Sequence, residues 1–519
     1  MPSINIFSWL KKIDTWLTLL FSMVLGTIVV LSFDLPPLYQ GALFVAIVGL
    51  AFFTVIPNKR IMLVAVWVMI HPLSIEKVFM LGKPLLSDFL PPMIVLSASD
   101  LVFLALLLYL LFESFFSDQK VWLVSSPVLP LSLLTLWVLI EFIFYTPSVE
   151  SGLAVLHAVK MLLFLVVFSS AIRSREELIL VFVAAATALG IQVFLVIFSH
   201  FSSHVFHFSP KVTVELLRFS GVSGDSYLRA TGTVGHVNQE ACFLTFFSFP
   251  LLGLLGSKNG WWRFFTALLL FVSFFAIVLT FSRSAWVSCT AAIIAIAVFL
   301  FRSKTCNETI WLYLFPLIVA VSIVFVGLHQ SVLDRLLHGD EGATASRKRA
   351  ILLSIDLFKL HPVIGVGPGN FVKATLEQYP PEHIRNIWIK PGEKARTSIY
   401  RYGRLEVSRI KLKDKVYMVP LPVHNKYFLI MTELGVIGFS LFMWFIFRVY
   451  KLMLACLRAS DTILLFAGFG ITGAFWAILS YMSLDLFADD KTVELLLFVP
   501  VLIISLSQAV QNNEREISA

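Results

Sequence analysis

The sequence predicts an all-α fold: a polytopic transmembrane bundle of about 12–14 helices with one long extracytoplasmic loop containing short helices. Three observations predict it. The 519-residue chain is 58% hydrophobic and only 14% charged, with mean hydropathy +0.88, a balance outside the soluble globular range. Its apolar runs are about 20 residues long, the length a helix needs to cross a hydrocarbon core of about 30 Å. Basic residues return after every second run, as expected of short loops kept in the cytoplasm. A barrel is excluded because the chain lacks period-2 alternation, and lone strands leave backbone groups unsatisfied in lipid.

Fourteen candidate helices follow, near 15–33, 38–56, 61–80, 98–116, 128–146, 151–171, 177–199, 237–256, 263–281, 284–301, 309–328, 425–447, 461–484 and 491–510. Lys11-Lys12 precedes the first run without a small-residue cleavage site, so the run reads as a retained helix. The third is interrupted by His71-Pro72. With the N-terminus inside, the cytoplasmic loops carry Lys59-Arg60, Lys120, Arg173 and Arg175, Lys258 and Arg263, Arg302 and Lys304, and Arg448, Lys451 and Arg458. The short outer loops, Pro147 to Glu150 and Asp485 to Asp490, are poor in Lys and Arg. The chain divides into N-terminal helices (1–200), central helices holding an Arg283 turn (201–328), a long outer loop (329–424) and C-terminal helices (425–519).

The long loop is charge-balanced up to residue 382, whereas residues 383–415 hold ten Lys or Arg against three acids. Long loops cross the membrane regardless of charge, so this basic stretch is expected to meet an anionic partner such as lipid headgroups, a diphosphate or phosphorylated sugars. The pI of about 9.2 does not argue for nucleic acid, because much of the charge sits in helix-orienting loops. The four cysteines suggest neither a disulfide nor a metal set.

Several outer-face segments have residue types suited to chemistry. Thr280 to Trp286 joins two helices with almost no loop and puts Arg283 at the rim. A guanidinium there either snorkels to water or offers forked donors to phosphate oxygens. Arg347-Lys348-Arg349 precedes an amphipathic stretch and then His361 to Phe371, where Gly365, Gly367 and Gly369 alternate with other residues. Such a turn either cradles an anion in its amides or tucks the loop back on the membrane, and the latter is favoured. It is neither a Walker loop nor a dinucleotide fingerprint. His424 opens a helix, and an imidazole at the boundary can take a proton from a hydroxyl or simply cap the helix. Asn425 is placed to cap the same helix. Glu433, nine residues on, falls half a turn around a regular helix and is not expected to orient His424. Arg229 to Glu240 adds another Arg and His at this face. Glu141, His157 and Lys160 lie within candidate spans, with His157 and Lys160 on one helical face, where a functional site and a structural ion pair are both open. No metal-ligand cluster or nucleophile elbow is visible.

Taken in order, Arg229 to Asn238, the Thr280–Trp286 turn, Arg347 with His361 to Phe371, and His424-Asn425 with Glu433 to Gly438 resemble the O-antigen ligase and O-antigen polymerase superfamily. The resemblance covers about 229–440 by motif. It implies a metal-independent, cofactor-free, inverting glycosyl transfer at the periplasmic face of a bacterial inner membrane. The donor is then a glycan on a polyprenyl diphosphate, with membrane lipids around it, and the acceptor a hydroxyl of the lipid A core or of another glycan unit. Mapped here, His424 assists deprotonation of the acceptor, and Arg283 and Arg347 hold the diphosphate. Arg229, Asn425 and Arg349 contact substrate. The chain departs from the family in having Ile351, four residues after Arg347, where an aromatic is usual. It also has more candidate helices than the usual dozen and carries the added basic stretch. A transporter of a small anion, centred on Glu141, His157 and Lys160, and a protein-directed glycan transferase are the alternatives. A transporter is expected to show repeated halves and a midplane site, and no halves are visible in the sequence.

Overall fold

The computed structural model describes residues 58–81, 92–116, 121–202, 218–220, 226–302, 341–378, 399–402, 405–412, 415–485 and 490–518. The candidate helices at 15–33, 38–56 and 309–328 lie outside the described residues. The chain is mostly helical. Among the described residues, eight helices are long and apolar enough to cross a membrane.

The helices that build the bundle are α1 (Lys59–Ile70), α2 (Ala98–Phe116), α3 (Val128–Phe144), α4 (Val149–Ala171), α5 (Arg175–Ser202), α6 (Val237–Ser248), α7 (Leu252–Leu255), α8 (Gly260–Leu279) and α9 (Arg283–Arg302). Two loop helices follow, α10 (Glu341–Leu360) and α11 (Phe371–Gln378), and then α12 (Lys426–Cys456), α13 (Thr462–Leu484) and α14 (Asp490–Ser518). Pro250 lies in a 3-10 turn that separates α6 from α7, because a proline removes a helical donor and crowds the preceding turn.

Burial sorts the helices. The apolar window of α14 is 89% buried, so α14 is central, whereas that of α2 is 22% buried. On α2 the residues Leu101, Leu104, Leu108, Phe112 and Phe115 are exposed; their three-and-four spacing makes one apolar stripe, the face a helix offers to lipid. The core centres on Trp67, which packs edge-on to Phe164 and Phe168 and lies 5.1 and 4.8 Å from their ring centres.

The basic loops gather at one end of the bundle. Arg60 pairs with Glu177, Arg173 with Glu113 at 3.0 Å and Arg175 with Asp461 at 3.1 Å. Basic residues from two loop regions, paired with acids at neighbouring helix ends, therefore lie at one end of the bundle, in the order the alternating pattern requires.

The third candidate helix, 61–80, needs correction. The helix stops at Ile70, His71–Leu73 form a 3-10 turn, and Ser74 is left-handed with φ 52°. Beyond it, β1 (Glu76–Met80) pairs antiparallel with β2 (Met93–Ser97). Pro72 ends the helix by geometry, and the β-branched and aromatic residues after it suit a hairpin. A second short pair joins β3 (Arg218–Ser220) to β4 (Ser226–Leu228). The basic stretch also differs from the expectation of short helices: β5 (Ile399–Tyr402), β6 (Leu405–Leu412) and β7 (Lys415–Leu421) form one antiparallel sheet in sequence order. It ends two residues before Val423, so the sheet feeds straight into the head of α12.

Candidate functional site

The turn at Arg283 is built by one unusual backbone angle. Thr280 closes α8 and Phe281 adopts φ 50°, a left-handed conformation costly for a bulky L-residue and concentrated at functional sites. Phe281 is buried, with its ring 6.2 Å from that of Trp286, and this packing holds the angle. The chain reverses at once, and α9 begins at Arg283, which is half-buried.

The last carbonyls of α8 receive partners from the segment that follows β4. Arg229 Nε donates to the Thr280 carbonyl at 3.1 Å, and the Ala230 amide donates to that of Leu279 at 3.1 Å. A cation at a helix C-terminus meets both orphan acceptors and the negative end of the helix dipole. Arg229 is thereby held three residues from Arg283.

From Arg229 the polar contacts run on to His424. Arg229 Nη2 donates to Asn238 Oδ1 at 2.8 Å, and Asn238 Nδ2 donates to Asp485 Oδ2 at 3.1 Å. Asp485 Oδ1 lies 3.5 Å from His424 Nδ1. The Tyr481 hydroxyl donates to the Asn238 carbonyl at 2.7 Å and stands 3.5 Å from Asp485 Oδ2. Asn425 ties the elements together. Its Oδ1 caps α12 by accepting from the Phe428 amide at 3.1 Å, and its Nδ2 donates to the Ser483 carbonyl at 2.9 Å. The head of α12 is thus fastened to the tail of α13, and His424 is set beside Asp485.

His236 caps α6. Its Nδ1 accepts from the Asn238 amide at 3.2 Å, and its own amide donates to Gln239 Oε1 at 2.8 Å, completing a capping box. The side chain is exposed at its surface, with neighbouring protein crowding the ring. That crowding strips hydration from the charged form, and the Arg229 guanidinium repels it further. With His424 acting in the same direction and Asp485 opposing, the imidazole is held down to about 4.

Arg347 and Arg349 reach the same end by another route. Helix α10 runs parallel to the start of α12. The Ser354 and Thr432 hydroxyls are hydrogen-bonded, and Ser354 Oγ lies 3.2 Å from the Phe428 carbonyl. Further on, the Val366 and Gly367 amides donate to the Thr432 and Glu433 carbonyls at 3.0 and 2.9 Å. Arg347 lies two turns before Ser354, about 10 Å along the helix, and His424 precedes Phe428 by about one turn. Both fall toward the same end. Arg347 and Arg349 are half-buried, with Lys348 exposed between them.

The glycine turn is a clamp. Gly365 and Gly435 have φ 87° and 62°. A Cβ on either would collide with backbone across the contact, Gly365 with Glu433 and Gly435 with Val363. The Val436 amide donates to the Pro362 carbonyl at 2.9 Å, and Trp137 Nε1 donates to that of Leu434 at 3.3 Å, so the kink in α12 at Gly435 keeps its backbone paired. The Val366 and Gly367 amides are spent on α12, in line with the tucked turn favoured from sequence. Glu433 points away from His424 and accepts from the Phe371 amide at 3.3 Å.

Hydrogen bonds therefore link the Thr280 carbonyl of the Arg283 turn, Arg229, Asn238 and Asp485, His424 Nδ1 stands 3.5 Å from Asp485, Asn425 ties the two helix ends, and Arg347 and Arg349 lie toward the same end on a neighbouring helix. Sequence reasoning missed Asp485 and Tyr481. Both lie about 60 residues beyond His424, and their only local signal is an acid and a phenol at the end of an apolar run. Of the remaining intramembrane residues, Lys160 pairs with Asp100 and Glu494 at 2.6 Å each. Beside the site, an apolar cavity of about 220 Å³ lies between α3, α4, α12, α13 and α14, lined by Leu134, His157, Lys426, Phe445, Ile478 and Leu496 among others.

Residues 267–393 match the family model described as O-antigen ligase, a segment that includes the Arg283 turn, α10 and the glycine turn at 365–369. No curated protein matches the chain. That match supports membership of the O-antigen ligase superfamily.

Proposed function

We propose that the protein is a glycosyltransferase that moves a glycan from a polyprenyl-diphosphate donor to a sugar hydroxyl at the periplasmic face of the bacterial inner membrane. The observation that carries the reading is the chain of contacts Arg283 turn, Arg229, Asn238, Asp485 and His424 at one end of the bundle. The cavity, lined in part by Lys426, two residues from His424, supports a lipid-borne donor, because it places apolar volume next to fixed cations.

The step follows from these parts. Asp485 faces Nδ1 of His424, which directs the proton to that nitrogen and leaves Nε2 as the base. Nε2 takes the proton of the acceptor hydroxyl as its oxygen attacks the anomeric carbon from the face opposite the diphosphate. The bond from that carbon to the diphosphate oxygen breaks, and its electron pair leaves with the phosphate. Arg283 and Arg347 stabilise the charge that grows there; fixed guanidinium groups in a partly dehydrated site need no reorganisation to do so. Asp485 stabilises the imidazolium. The anomeric centre inverts, and Arg229, Arg349 and Asn425 complete the substrate-facing wall. This chemistry draws on no metal.

Gene deletion and complementation, with envelope glycans resolved on a gel, tests the reading. Loss of all polymer on lipid A marks a ligase, and lipid A capped with a single unit marks a polymerase. Arg283→Ala and His424→Ala are expected to fail in complementation while inserting at wild-type levels. Unchanged glycans in the deletion strain, or full complementation by both variants, would refute it.

A further inference from the structure

A second polar cluster lies within the membrane-spanning part of the bundle. Glu494 of α14 accepts from Lys160 of α4 at 2.6 Å and faces His71 Nδ1 at 3.3 Å, and Lys160 also meets Asp100 of α2 at 2.6 Å. His71 and Glu494 are almost wholly buried. Four titratable groups from four elements thus converge where apolar packing would be simpler. Replacing a buried ion pair by apolar residues is often neutral for stability, so stability alone is a weak reason for the cluster. Ionisable groups at membrane depth usually serve function.

Its position gives the reason. Helix α1 has 12 residues, about 18 Å of rise against a core of about 30 Å. The irregular backbone at 71–74 therefore lies within the hydrocarbon depth, where it is tolerated only when protein satisfies it. The satisfying groups come from the segment that carries the functional site. Thr233 Oγ1 donates to the Pro72 carbonyl at 3.0 Å, and Ser74 Oγ donates to the Val234 carbonyl at 2.6 Å. Gln192 Nε2 and Glu240 Oε2 complete the support, the first donating to Thr233 Oγ1 at 2.7 Å and the second accepting from the Val234 amide at 3.2 Å. Arg229 lies four residues before this anchorage, and His236 and Asn238 lie two and four residues beyond it.

We propose that Lys160 and Glu494 are positioning residues for the functional site. Through His71 they fix the 71–74 turn, and through that turn they set the 229–238 segment at the depth where Arg229 meets Thr280 and Asn238 meets Asp485. The inference rests on the proposed donor site for its functional meaning, but its structural core is testable alone.

The test uses the full chain in lipid nanodiscs, with Glu494→Gln, Lys160→Met, Lys160→Arg and Ser74→Ala. Hydrogen exchange reads the 229–238 amides, and titration with undecaprenyl diphosphate reads the site. In Glu494→Gln, Lys160→Met and Ser74→Ala, exchange at 229–238 is expected to rise by roughly 10-fold while 462–484 keeps its protection. Affinity for the diphosphate is expected to fall by about 10-fold. Lys160→Arg restores both readouts. Ser74→Ala leaves the ion cluster whole and covers the case in which a charge variant does not fold. Wild-type protection at 229–238 in a folded Glu494→Gln or Lys160→Met variant, or in Ser74→Ala, overturns the proposal. A loosened segment with undiminished diphosphate affinity in these variants and in Arg283→Ala overturns the donor reading and leaves the positioning role standing.

Discussion

Asp485 holds its carboxylate 3.5 Å from Nδ1 of His424 while its other oxygen accepts from Asn238. The two residues are 61 positions apart and belong to different helix ends. The Asn425 amide links those ends by capping α12 and bonding Ser483.

Asp485→Asn is expected to lower glycan transfer by roughly 10²-fold or more, the scale of a lost acid–base contribution. The amide keeps the shape but no longer favours a proton on Nδ1 or stabilises the imidazolium. Membrane abundance is expected to stay at the wild-type level. A transfer assay alongside a membrane immunoblot checks both, and wild-type transfer would remove Asp485 from the site.

Asn425→Ala removes a helix cap and the tie to Ser483 together. The cap alone is worth about 1 kcal/mol, so thermal unfolding of the detergent-purified protein is expected to begin lower. Asn425→Asp keeps the capping oxygen and loses the donor to Ser483, so it should recover part of the melting temperature and less of the transfer.

Gly435→Ala and Gly365→Ala are expected to be the most damaging single-methyl changes in the outer half of the protein. Each adds a Cβ where the chain has positive φ and opposing backbone is in the way. A left-handed conformation costs a non-glycine residue about 1–2 kcal/mol before any collision. Fluorescence-detected size exclusion over a temperature series measures the loss; a wild-type profile for both would show that the clamp is looser than described.

His236 gives a pH signature. Its imidazole is held down to about 4 in the folded protein, against 6.5 in the unfolded chain. Between those values the unfolded chain binds the proton and the folded protein does not, so stability rises with pH across this window and falls on acidification. His236→Gln should flatten that part of the melting-temperature profile between pH 4 and 7. An unchanged slope would mean that another group sets it.

Much of this architecture is legible in the amino acids because lipid allows so few backbone solutions. Length and apolarity alone identify spans such as α5 and α13, and the alternation of basic loops fixes which ends share a compartment. Arg283 and His424 stand out as candidates because each is a polar residue at the edge of an apolar run. The Asp485 partnership is not, since no local pattern tells a buried carboxylate's partner from a loop acid. The short span of α1 is hidden for a related reason: the residues after Pro72 stay apolar, so composition continues where geometry stops. The sheet at β5–β7 escapes because the Lys and Arg of residues 383–415 dominate the stretch and mask the alternation beneath.

The joint made by Asn425 also bears on motion. Fastening one helix head to the next helix tail turns His424 and Asp485 into a single rigid body. Any rocking of α12 then carries His424 and Asp485 together. Such a movement would leave the 3.5 Å spacing of the pair unchanged.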